Sequence, residues 1–171
     1  MVQRRNEHRP KIARRTALAL LAGMVLAAPV AAEQPSAQGL LDAIYRPYLK
    51  KGHDGPPFEK YPEIFVPDLF RAIDRDATEA KRQDIVPTLS GDAFLDAGGP
   101  DPITNLAIDV AVNGAKATGT VTFTIRSEVH GVDRRHLTID LVQTPSGWRI
   151  FDIVSKRDFG KESLRALFKL R

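Results

Sequence analysis

The chain has 171 residues, with 25 Lys and Arg against 21 Asp and Glu, a single tryptophan and no cysteine, so disulfides, thiolate ligands and a cysteine nucleophile are excluded. Six of the basic side chains and one of the acidic ones fall in the first 32 residues, leaving 19 against 20 in the other 139. The excess positive charge thus belongs to the N-terminus, and the remainder, at net −1, gives no electrostatic case for nucleic acid.

That N-terminus reads as an export signal. Arg4, Arg5, Arg9, Lys11, Arg14 and Arg15 form a basic region, and Thr16 to Ala28 is an apolar run of about thirteen residues. Ala28-Pro29-Val30-Ala31-Ala32 then supplies small residues for a signal peptidase, predicting cleavage after Ala32. The run falls short of the roughly 20 residues that span a bilayer. Arg14-Arg15 stands where a twin-arginine signal carries its pair, but A-R-R-T-A-L matches that motif poorly, so general secretion is the better reading. With no cysteine at the cut there is no lipid anchor. The expected product is a periplasmic or secreted protein without a membrane anchor, built as one domain over 33–171.

Ser36 is a good N-cap for a first helix whose apolar stripe is Leu40, Leu41, Ile44, Tyr45 and Tyr48. Pro47 should kink or end it. Lys50 to Pro62 reads as a loop from its Gly and Pro content. Pro67 suits the first position of a second helix running to about Arg82, with Leu69, Phe70, Ile73 and Ala77 on its apolar side. Asp84 to Pro102 has no period and predicts a long ordered loop with a short helical turn at Ala93–Ala97; loops of this length inside a domain are often functional.

Alternation of period two then predicts four antiparallel strands. Asn113-Gly114 suits a type I′ turn pairing Val112 with Ala115 and Ile108 with Gly119. This puts Leu106, Ile108, Val110, Val112, Val121, Phe123 and Ile125 on one face, and Thr118, Thr120, Thr122 and Thr124 on the other. Keeping Ile125 on the same side as Leu137 requires an odd loop centred on Gly131, where glycine would supply a positive φ. Across Thr144-Pro145-Ser146-Gly147, Gln143 meets Trp148, Leu141 meets Ile150 and Ile139 meets Asp152. Gly160 breaks the last strand, and Ser163 to Leu170 is a short amphipathic closing segment. The fold class is α+β: N-terminal helices packed on a curved antiparallel sheet of about four strands.

This order, with Y-R-P-Y at 45–48, F-V-P-D-L-F at 65–70, G-D-A-F-L-D-A at 91–97, G-W-R-I-F-D-I at 147–153 and S-L-R-A-L at 163–167, resembles the cystatin-like cone fold of nuclear transport factor two and its relatives. More narrowly it resembles the uncharacterised bacterial exported family called domain of unknown function 3828. After Ala97 this chain departs from the pattern with Gly98-Gly99-Pro100-Asp101. The resemblance implies a cone fold and an exported location, and no established activity.

In the predicted register Asp152 lies on the apolar face, where a carboxylate could serve as a general acid or base. A bulge after the T-P-S-G turn would instead swing it outward and bring Phe151 and Ile153 in. Trp148, Tyr45 and Tyr48 are candidates for lining a pocket, Tyr45 and Tyr48 with their hydroxyls at its mouth; core packing is the alternative for each. Phe151 and Ile153 interrupt the threonine face and mark a partner or homodimer surface, unless the C-terminal segment covers them. His8, His53, His130 and His136 share no ligand spacing, so neither a metal nor another cofactor is expected. There is no G-x-S-x-G for a hydrolase. The expectation is an exported binding or protein-interaction module taking an unknown protein or a small apolar ligand. The rivals are a cofactor-free isomerase, dehydratase or lyase using Asp152, and a toxin-immunity or inhibitor protein.

Overall fold

A computed structural model describes residues 35–52, 55–96, 102–127, 131–157 and 160–171. By its contacts the chain divides into Met1–Ala32 and Glu33–Arg171, and every described residue lies in the second unit. The predicted export signal with its cut after Ala32, together with His53, His130 and the Gly98-Gly99-Pro100-Asp101 stretch, falls outside the described residues.

Helix α1 (Ala37–Tyr45) starts where expected: the Ser36 hydroxyl accepts the Gly39 N–H at 3.0 Å, satisfying one of the free donors of the first turn. Pro47 ends the α-helical bonding, and the chain continues as a 3₁₀ turn over Arg46–Leu49. The segment read as loop up to Pro62 is more ordered than its composition suggests. It holds a 3₁₀ turn (Phe58–Lys60) and the start of a one-turn helix, α2 (Tyr61–Ile64). Phe58 gives it an anchor, with its ring 5.0 Å from Tyr61 and 6.0 Å from Phe70.

Helix α3 (Pro67–Gln83) has Pro67 in its first turn, Asp68 near its positive end and Lys81 and Arg82 near its negative end. No side chain caps its start. The Val66 N–H instead donates to the carbonyl of Ile150 at 2.9 Å, and Phe65 forms a parallel bridge with Ile150, so α3 is tied to the sheet. The helix ends at Asp84, in the left-handed region at φ 56°. Asp76 then accepts the N–H groups of Thr88 and Leu89, each at 3.1 Å, and holds the following segment against the helix.

The sheet has five strands, not four, in the sequential order β1 (Thr104–Asn113), β2 (Lys116–Ser127), β3 (Gly131–Thr144), β4 (Gly147–Arg157) and β5 (Gly160–Ser163), all antiparallel. The extra strand lies in the segment read as a break: at Gly160, φ 136°, the chain turns back to pair with β4 before helix α4 (Leu164–Leu167) closes it. The first hairpin is one residue out of the expected position. Asn113 faces Lys116, so Gly114 and Ala115 form the turn; Val112 meets Ala117 and Ile108 meets Val121. Gly114 alone takes a positive φ of 59°, as in a type II′ rather than a type I′ connection. The slip moves each partner by two residues, so the two faces are unchanged. Ser127 opposite Gly131 leaves the odd loop that the faces require, but Gly131 opens β3 instead of standing at the centre of that loop.

Between β3 and β4 the predicted register holds for Gln143–Trp148 and Leu141–Ile150 and then shifts. Asp140 faces Asp152 and Ile139 faces Ile153, because Phe151 is an extra residue, a β-bulge in β4. One buried cluster covers the helix-side face: Leu41, Ile44 and Tyr45 from α1; Phe65 and Leu69; and Phe123, Leu137, Ile139, Leu141 and Ile150 from the strands. Phe94, from the long loop, fills the middle of it. Its ring stacks on Phe65 at 5.6 Å and meets Tyr45 and Tyr61 edge-on at 6.4 and 5.8 Å.

Candidate functional site

The bulge decides where Asp152 goes. Opposite Asp140, it belongs to the face where Asp140 accepts the Thr118 hydroxyl at 3.0 Å, not to the apolar wall of Ile139 and Ile150. Asp152 is 9% exposed, and both of its carboxylate oxygens are hydrogen-bonded. Oδ2 accepts the Ser163 hydroxyl at 2.6 Å and Oδ1 accepts the Arg165 N–H at 3.0 Å. Ser163 also accepts the Ala166 N–H as the N-cap of α4. Asp152 therefore anchors the start of α4, and the pocket placement inferred from the regular register is corrected.

Ile153 is corrected as well. At 4% exposed it is part of the core, since the bulge turns it inward. Phe151 stays outside at 37%, with the Arg165 guanidinium 4.1 Å over its ring. The C-terminal segment thus lies over the residue that was to mark an open surface. Arg165, itself buried, also donates to Asp68 of α3 at 2.8 Å and to the Arg171 carbonyl. The partnership with Arg165 holds the Asp68 carboxyl below the usual aspartate range.

Tyr45 and Tyr48 do not present their hydroxyls at a pocket mouth. Both are buried, and both bind the turn that carries Phe94: Tyr45 donates to the Phe94 carbonyl at 2.9 Å and Tyr48 to Asp92 Oδ2 at 2.5 Å. Asp92 Oδ1 accepts the Phe94 N–H at 2.8 Å and so shapes the turn it anchors. Gly55 lies directly over this pair: a Cβ there would sit 1.7 Å from the Tyr48 hydroxyl. Burial first, and the Asp92 charge second, push the phenols of Tyr45 and Tyr48 above their ordinary value, and the same causes take Tyr61 up to about 12.

Trp148 is the one predicted pocket residue that borders open space. Half-buried, it forms part of a groove of about 580 Å³ with Leu40, Ile44, Pro47, Pro57 and Ile64. Lys60 and Glu63, paired at 3.5 Å, and Arg149 stand at its polar rim. A second groove, about 710 Å³, lies between the Asp92 turn and β5–α4, and Asp92, Asp96, Lys161, Glu162 and Ser155 border it. A third, about 970 Å³, runs between α1 and β1.

Asp92, Phe94 and Arg165 were not singled out from the chain by residue type. Tyr48 and Asp92 stand 44 residues apart and Asp68 and Arg165 97 apart, so no local spacing announces either pair. Among the described residues no three His, Asp or Glu gather as metal ligands would, and no helix is long and apolar enough to cross a membrane. His136 faces Thr122 on the threonine face. No family model, no curated protein and no solved structure matches this chain.

Proposed function

We propose that the chain is an exported, non-catalytic binding module that takes an apolar group of a partner or small ligand in the groove beside Trp148. We also read the helices and meander as a cone of the nuclear transport factor two type, within the exported family the sequence resembles. One observation carries the binding reading. The helix-side face of the sheet is filled by Phe94 and its aromatic neighbours, while Trp148 opens onto a largely apolar groove outside that core. A mostly apolar concavity with a few polar groups at its rim is the usual form of a ligand site. The rival acid–base reading loses its support, because both oxygens of Asp152 are committed to Ser163 and Arg165.

Trp148 is the chain's single tryptophan, so its emission reports on the groove directly. Titrating the protein with N-phenyl-1-naphthylamine, an apolar fluorescent probe, should quench Trp148 saturably while the probe's own emission rises. In Trp148→Ser the probe should bind about tenfold more weakly, a loss of about 1.4 kcal/mol. A linear, non-saturating response, or probe binding unchanged by the substitution, overturns the reading.

A further inference from the structure

Strand β1 is the first of the sheet, so only one of its sides is paired. Asn113 and Lys116 flank a two-residue turn, which makes them a hydrogen-bonded pair. Alternation along an antiparallel ladder then turns the N–H and C=O groups of Ile108, Val110 and Val112 away from β2. Among the described residues none of these groups has a backbone partner. Natural edges are commonly blunted with lysine or proline, and β1 carries neither over its ten residues. A bulge between Thr104 and Ala107 interrupts its start, leaving a straight run from Ala107 to Asn113.

The groove of about 970 Å³ lies alongside this edge, with Leu106 and Ile108 on one wall and Ala43 and Leu49 on the other. Just before β1 the Ile103 N–H donates to the Tyr48 carbonyl at 3.0 Å, tying that end of the strand to the 3₁₀ turn after α1. Arg46 and Lys50 stand near that end against one carboxylate, Asp42, which pairs loosely with Arg46 at 3.6 Å. The groove therefore carries a net positive charge.

We propose that the free edge of β1 takes up an extended peptide as a sixth strand, its alternate apolar side chains entering the groove under α1 and an acidic residue meeting Arg46 and Lys50. Unpaired strand groups are satisfied along their length by another extended backbone, and alternate side-chain pockets then select its sequence. A second copy of this chain is the poorer occupant. Paired about Asp109 it would set Asp109 on Asp109, and Asp109, the one acidic residue of β1, lies on the threonine face, away from Arg46 and Lys50. The two grooves meet at Ala43 and Pro47, but no residue of β1 lines the Trp148 groove and the proposal does not depend on it.

The test uses the full chain, ¹⁵N-labelled, and three acetylated heptapeptides: Glu-Val-Thr-Val-Thr-Val-Thr, its Lys-first counterpart, and the Glu peptide with a central proline. The Glu peptide should bind saturably and slow amide exchange at Ile108, Val110 and Val112, leaving Asp109 and Ala111 unchanged. The Lys and proline peptides should each bind at least tenfold more weakly. Val110→Pro removes an outward N–H that the free chain does not use, a change edge strands tolerate, so it should leave the melting curve intact and abolish binding. Lys50→Glu should reverse the Glu–Lys preference. Binding that survives Val110→Pro, protection at Asp109 instead, no binding of any of the three peptides, or sedimentation as a dimer that Val110→Pro makes monomeric would each overturn the proposal.

Discussion

Asp152 does the work of a backbone cap from a strand. Its two oxygens satisfy the Ser163 hydroxyl and the Arg165 N–H, so removing it leaves two donors in a buried place. Asp152→Ala should therefore cost about 2 kcal/mol, seen as a lower urea midpoint at unchanged slope. Asp152→Asn, which keeps one acceptor oxygen, should cost less. Gly119 is the second residue whose role follows from geometry. A Cβ there would lie 2.4 Å from Leu41 Cδ1, and Leu41 is fully buried, so the terminal methyl has nowhere to go without displacing its neighbours. Gly119→Ala should destabilise by about 1–3 kcal/mol through overpacking, measurable as a fall in melting temperature. Neither role is written in the residue type: one glycine and one aspartate among many became critical through partners far along the chain.

At the scale of elements, the segment between α3 and β1 matters more than its lack of period suggests. Asp76 pins its first part to α3, and Asp92 folds its second part into the turn that delivers Phe94. Two tyrosine hydroxyls from the end of α1 and the 3₁₀ turn after it then fasten that turn to the helix layer. Phe94 is fully buried, and Phe94→Ala should cost about 3–5 kcal/mol, the range for an aromatic deleted from a packed core. Equilibrium denaturation would check it, and a loss below 1 kcal/mol would show that the turn does not hold the core together. The elements predicted by pattern were largely correct. Ser36, Pro47 and Pro67 act within a turn of where they stand, so α1 and α3 begin and end close to the expected places. The strand faces survived the error in the first hairpin because they depend only on the parity of the register. β5 was missed because a four-residue edge strand carries too little alternation to stand out.

For the whole molecule, titration sets the limits of stability at both ends of the pH scale. Asp68 has a lowered value in the folded state because it accepts from Arg165, so it contributes stability that is present above the unfolded aspartate value of 3.8. That contribution is lost as the pH falls through the lower folded value. Asp68→Asn should flatten the acid limb of the stability curve and leave the neutral region little changed in shape. The three tyrosines of the chain, Tyr45, Tyr48 and Tyr61, act at the other end. All have raised values when folded, so their contribution is complete below the unfolded value of 10.0 and is lost as the pH rises through the folded values. Absorbance at 295 nm should show no phenolate titration near pH 10. Tyr61 should ionise near pH 12 and Tyr45 and Tyr48 only with alkaline unfolding, and a normal titration of one phenol per chain at pH 10 would contradict the raised values of these rings.

The local order of this protein was available in the chain itself: the helix starts, the breaks at proline, the α+β class and the two faces of the first three strands and of β4 up to its bulge. These depend on propensity, capping and period, which act over a few residues. The tertiary structure alone decided the fate of the candidate site. One extra residue in β4 moved Asp152 from the apolar wall to the start of α4, exchanged Ile153 into the core and placed Phe151 under Arg165. A bulge leaves the hydrophobic alternation on either side intact and differs from a regular strand mainly in what packs against it, here β5 and α4. Those partners come from beyond the hairpin, so the two arrangements separate in energy only when the whole chain is folded.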